Sequence, residues 1–230
     1  MKDSLVIFHG SKDIVERPLF GVGKKHNDFG LGFYCTEDEE LAKEWSVSSS
    51  KDGYVNAYVL DARYLNVLHL SNSQYTILNW IAVLVEHRLF PIESPNARRA
   101  EEYLSKHFGI NVNAYDLIVG YRADDSYFDY AYAFLNNAIT VEQLALAMRL
   151  GKLGEQIVLK SEAAFSQIRF LESKRVSREP YYQKRVERNE QASRRYQALL
   201  EEGSDGLFIQ DIIRGGIQND DPRIPRNEVR

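Results

Sequence analysis

Strand-like and helix-like stretches follow one another along this chain in no fixed alternation, and nothing else in the sequence constrains its fold as strongly. Leu5 to Phe8 is an apolar run ending at His9-Gly10-Ser11, the pattern of a buried strand entering a turn. Pro18 to Gly32 carries Gly21, Gly23, Gly30 and Gly32 with little periodicity, as a loop does, and Phe33 to Thr36 is a second short strand. Thr36 to Ser46 sets Leu41, Ala42 and Trp45 at helical spacing behind acidic residues suited to a helix N-terminus, with Thr36 as its N-cap. Strands over Tyr54–Leu60 and Leu65–Leu70 lead to helices over Gln74–Leu89 and Ala97–Phe108. Tyr115 to Gly120 is again a strand, and Asp124-Asp125-Ser126 caps an aromatic helix. Thr140-Val-Glu-Gln143 is a capping box, and strands at Gln156–Lys160 and Gln167–Leu171 flank Glu162–Phe165. A doubly wound parallel sheet needs regular alternation, because each parallel pair requires a crossover. The irregular order predicts an α+β fold.

With 230 residues and 44% of them hydrophobic, the chain can bury a core without disulfide or metal. Cys35 is its one cysteine, which excludes an internal disulfide and a cysteine-based zinc site and fits a reducing cytosol. His26, His69, His87 and His107 show no metal-ligand spacing. The first residues lack the pattern of a signal peptide, and the longest apolar run, Trp80 to Val85, is far shorter than the ~18 residues a membrane span needs. A cytoplasmic protein without membrane contact is expected. A net charge of −4 argues against general nucleic-acid affinity. The composition shifts from Ser173 onward. Residues 1–172 are expected to form the main domain, 173–202 a charged helical arm and 203–230 a C-terminal tail whose end, Asp220 to Arg226, is mobile. The arm is either a solvated helix or a holder of a partner protein or RNA.

Three blocks carry candidate chemistry: Phe8-His9-Gly10-Ser11; Gly30-Leu-Gly32-Phe33-Tyr34-Cys-Thr36 followed by Ala42 and Trp45; and Glu155-Gln156-Ile157-Val158-Leu159. In this order they resemble the diphtheria-toxin and poly(ADP-ribose) polymerase superfamily of ADP-ribosyltransferases. Asp28-Phe-Gly-x-Gly-Phe-Tyr34, Ile118-Val-Gly-x-Arg-Ala-Asp-Asp125 and Gln156 together resemble, more narrowly, an uncharacterised bacterial domain family of that clan (DUF3990-like). The resemblance covers roughly residues 5 to 171.

That resemblance implies two packed, mainly antiparallel sheets with a helical insertion between about Gln74 and Phe108. It also implies NAD as co-substrate, no metal, and transfer of ADP-ribose to a protein or nucleic-acid acceptor. The implied setting is a bacterial toxin or defence factor held by an antitoxin protein. NAD hydrolysis and a non-catalytic module binding ADP-ribose or a partner are the competing readings. In the implied site, Gly10 lets the backbone approach the ligand, and His9 and Ser11 bond ribose hydroxyls. Tyr34 and Trp45 stack around the nicotinamide. Asp28, Gly32, Phe33, Thr36, Arg122 and Asp125 complete the nucleotide contacts; alternatively, Asp124 or Asp125 is only a helix cap.

Cleavage of the nicotinamide–ribose bond develops positive charge on the sugar, which a carboxylate stabilises. Glu155 offers that charge and Gln156 is its rival. Successive side chains in a strand point to opposite faces, so only one of the two can face the ligand. Electrostatics favours Glu155. Parity and the narrower resemblance favour Gln156.

Overall fold

The computed structural model describes residues 3–227 apart from 91, 93, 124, 151–153 and 204, and leaves aside the side chains of 125–127, 148–150, 192 and 202. Two sheets carry the strands. In the first, β1 (Ser4–Ser11), β3 (Gly53–Asp61) and β7 (Ile168–Val176) lie in the order β1-β3-β7, all antiparallel. In the second, β2 (Phe33–Cys35), β6 (Glu155–Leu159), β5 (Leu117–Tyr121) and β4 (Val67–His69) follow in that order, antiparallel except for the β4–β5 pair. A backbone bridge between Phe8 and Thr36 ties the two sheets together. The expected class, α+β with two mainly antiparallel sheets, is the one found.

Alternation along the strands separates two cores. Leu5, Ile7, Phe33, Cys35, Tyr58, Leu60, Leu117, Val119, Ile157 and Leu159 pack into one cluster joining the two sheets. Ile118 and Val158, on the other face of the second sheet, meet a helical layer. Its centre is α2 (Ile77–His87), buried from Ile77 through Val85, as befits a helix that is apolar all round. Around it lie α3 (Pro95–Phe108), α4 (Asp125–Leu135), α5 (Val141–Leu150) and α8 (Ile209–Arg214), so the helical layer extends well beyond the insertion expected from Gln74 to Phe108. The Thr140–Gln143 capping box forms, each residue's side chain accepting from the other's backbone N–H. Helix α1 (Glu39–Ser46) lies against β1 and β3, the short α6 (Glu162–Ser166) precedes β7, and α7 (Arg178–Glu202) packs on α1 and α4.

Several boundaries move from their expected positions. Strand β1 continues through His9, Gly10 and Ser11, which pair with Asn56, Val55 and Tyr54 instead of turning. Asp38, not Thr36, caps α1, accepting from the amides of Glu40 and Leu41; Thr36 is buried, and its Oγ1 accepts from Asp38 N. Strand β7 runs to Val176, so the boundary at residue 172 falls inside a strand. The C-terminal residues are not a free tail. Ile209, Ile212, Ile213, Ile217 and Ile224 are buried in the helical core, and Asn227 donates to Leu70 O at 2.6 Å. Among the described residues no helix is long and apolar enough to cross a membrane, and no group of three or more His, Cys, Asp or Glu could hold a metal ion.

Candidate functional site

A cavity of about 560 Å³ opens where β1, β2 and β6 meet α1, α7 and the glycine-bearing loop before β2. His9, Asp28, Gly32, Phe33, Tyr34, Trp45, Arg122 and Gln156 all line it. They come from stretches far apart in the chain, brought together because β2 pairs with β6 and β6 with β5.

His9 is mostly buried, and its Nδ1 lies 2.7 Å from Tyr34 O. A carbonyl only accepts, so the proton sits on Nδ1 and Nε2 carries the lone pair. Burial lowers the pKa of the ring, which favours this neutral form. The imidazole rests on Phe33 at 4.4 Å between ring centroids. Tyr34 holds the preceding loop: its hydroxyl donates to Gly30 O at 2.6 Å and accepts from Phe29 N at 3.1 Å. Burial pushes that phenol far above its ordinary pKa, so it stays protonated. Gly32 presses the same loop onto β6; a Cβ there would stand 2.6 Å from Val158 Cγ1 and 2.9 Å from Leu159 O.

Asp28 is the buried carboxyl of the cavity. Its Oδ2 accepts from Ala123 N and from Gln156 Nε2, each at 2.8 Å, and Arg88 Nη1 lies 3.5 Å from Oδ1. Burial raises its pKa, while the bonds from Ala123 and Gln156 and the charges of Arg88 and Arg122 oppose the rise. Gln156 Nε2 also bonds Tyr121 O at 3.2 Å. Gln156 lines the cavity, whereas Glu155 is exposed at the start of β6 and is not in its lining.

Three residues expected to contact the ligand, Gly10, Ser11 and Thr36, are not in the lining. Gly10 is outside the lining, and its missing side chain serves α1: a Cβ there would stand 2.0 Å from Ala42 O and 2.9 Å from Ser46 N. Ser11 Oγ donates to Asp13 O and accepts from Asn56, and Thr36 is enclosed between the sheets' edges; neither lines the cavity. Trp45 does line it, but the Arg122 guanidinium sits 4.7 Å from the centroid of its ring, so a cation already stacks on the indole. Asp125 opens α4 and Asp124 lies outside the described residues, as does the Asp125 side chain.

Several participants escaped the sequence reading. Asn56, fully buried, donates to His9 O and Ser11 Oγ and accepts from Val15 N, fixing the segment after β1. A polar residue inside the alternating run of β3 was the available signal. Lys160 Nζ donates to Phe29 O and Leu31 O at 2.7 and 2.8 Å, anchoring the glycine loop from Gln156's own strand face. Arg88 and, from α7, Arg185 and Asn189 line the cavity with no local signal at all. In the same wall, Trp45 Nε1 and Asn189 Oδ1 are buried without a hydrogen-bond partner.

Residues 5–170 match one protein family, described as "Protein of unknown function (DUF3990)". No curated protein and no solved structure matches the chain.

Proposed function

The chain belongs to the DUF3990 family, and from that premise we propose that it is an NAD-dependent ADP-ribosyltransferase with an ADP-ribosyltransferase-like fold. The observation that carries this reading is convergence. His9, the Gly32-Phe33-Tyr34 segment, Trp45 and Gln156, which the sequence offers as three separated blocks, line one cavity together with Asp28 and Arg122. Its volume of about 560 Å³ lies within the range of small-molecule sites.

The lining has the chemistry that NAD requires. Lys24, Arg88, Arg122 and Arg185 outnumber the carboxylate of Asp28, which suits a pyrophosphate. Neutral His9 offers an Nε2 acceptor to a ribose hydroxyl, and Phe33, Tyr34 and Trp45 supply aromatic surface. In the reaction, the bond from the ribose anomeric carbon to the nicotinamide nitrogen breaks, and its electron pair leaves with nicotinamide. The acceptor's nucleophile bonds to the anomeric carbon and gives up its proton to water. The acceptor is a protein or nucleic acid, and the role is that of a bacterial toxin or defence factor held by an antitoxin protein.

The test is incubation of the protein with cell extract and NAD labelled on its adenylate, followed by separate protease and nuclease digestion. Label in a macromolecule, released by one digestion, is expected. Free labelled ADP-ribose alone would assign NAD hydrolysis, and unchanged NAD would refute the reading.

A further inference from the structure

We infer that Asp28, not a residue of β6, is the catalytic carboxylate that stabilises the positive charge developing on the ribose. This rests on the proposed transferase reading and names the group that its chemistry needs. Among the described residues lining the cavity, Asp28 is the only acid. Glu155 is exposed outside it, and Gln156, which takes the inward position, carries no charge. Glu44 is buried nearby but is not in the lining, and its Oε1 is bound to Arg188 at 2.6 Å.

The contacts of Asp28 do not by themselves call for a charge. Both short bonds, from Ala123 N and Gln156 Nε2, end on the same oxygen, Oδ2. An asparagine oxygen has two lone pairs and could accept both. Burying a carboxylate where an amide would satisfy the same donors is costly. Arg88, at 3.5 Å from Oδ1, and the more distant charge of Arg122 are what favour a negative charge here. Ala123 N, Gln156 Nε2 and Arg88 Nη1 are all donors to the carboxyl, and they favour its ionised form against the upward pull of burial. A fixed negative charge on a nearly buried carboxyl is what a transition state with a cationic sugar requires, and it needs no rearrangement as the bond breaks. Gln156 then acts as a positioning residue, aiming the carboxylate from β6.

The experiment compares nicotinamide release from NAD by the unaltered protein, Asp28→Asn, Gln156→Ala and Glu155→Gln, with NAD affinity and Tm measured for each. Asp28→Asn is expected to fold, to bind NAD within a few-fold of the parent and to lose turnover by about 10²–10³-fold, the scale for removing one transition-state electrostatic partner. Gln156→Ala is expected to lower kcat more than it raises KM. Glu155→Gln is expected to turn over normally. Full turnover in Asp28→Asn overturns the inference, and so does loss of turnover in a folded Glu155→Gln, whether or not Asp28→Asn folds. No nicotinamide release by the parent would instead count against the transferase reading itself.

Discussion

At Gly10 an added methyl group would meet backbone on α1, 2.0 Å from Ala42 O, and neither strand nor helix can give way without disturbing its own hydrogen bonds. Gly10→Ala is expected to destabilise the protein by about 1–3 kcal/mol. A lowered urea midpoint at unchanged slope would register it. A Gly10→Ala protein as stable as its parent, but with weakened NAD affinity, would restore the ligand-approach role that the sequence suggested. The glycine was legible in the sequence; its purpose was not, because its neighbour is Ala42, on a helix whose approach no local pattern reveals. Gln156 was legible through strand parity, and Asp28 through a motif, but the bond joining them depends on tertiary pairing. His9 gives a pH prediction with a definite sign. Burial holds its pKa below the ordinary histidine value of about 6.5, and His69 is shifted the same way. Below about pH 6.5 the unfolded chain therefore binds more protons than the native one, so stability is full above that pH and is lost as pH falls toward the native pKa values. Each histidine contributes a slope of at most about 1.4 kcal/mol per pH unit. His9→Gln should flatten this dependence between pH 7 and 5 in denaturation curves, and an unchanged slope would refute the assignment.

The seam between α1 and α7 shows what element-level pattern can and cannot reveal. Glu40 pairs with Lys184 at 3.2 Å and Glu44 with Arg188 at 2.6 Å, one turn further along both helices. Arg185 donates to Val47 O at 3.3 Å in the same seam. From sequence, the Arg- and Glu-rich stretch reads as a solvated helix, since its partners lie about 140 residues away. Several of its few apolar residues dock: Tyr182 against the cluster containing Ala42, Tyr196 edge-on to Tyr130 at 5.0 Å, and Leu199 buried. Arg188→Ala leaves the buried Glu44 carboxylate without its shortest partner and should cost about 1–3 kcal/mol, the scale of a hydrogen bond to a charged group. Adding Glu44→Gln should recover much of that loss, because the orphan is then neutral. Denaturation of the two single variants and the double one checks it; strict additivity of the two losses would show that the pair does not couple.

Across the whole molecule, the family match ends at residue 170, yet β7 continues to Val176 and the helical core closes only with α8 and the residues after it. A chain ending at Glu202 would lose the buried isoleucines 209, 212, 213, 217 and 224. At about 1.5–3 kcal/mol for each buried aliphatic side chain, that loss rivals the 5–15 kcal/mol by which a typical domain is stable. Such a chain is expected to show no cooperative melt by calorimetry, and a sharp transition would mean that the segment is dispensable after all. Sequence periodicity missed this because α8 is only six residues long and Ile217 and Ile224 follow it among turn residues, so only the packed helical layer shows where they go. The placement of Cys35 has one more consequence. It is the chain's only thiol, it is fully buried in the cluster that joins the two sheets, and burial pushes its pKa well above the ordinary thiol value. Thiolate is the species that reacts with disulfide reagents, so labelling must wait until the sheets part. In excess reagent the modification rate becomes the opening rate, and in scarce reagent it reports the open population, so the unaltered protein carries its own clock for how often its two halves separate.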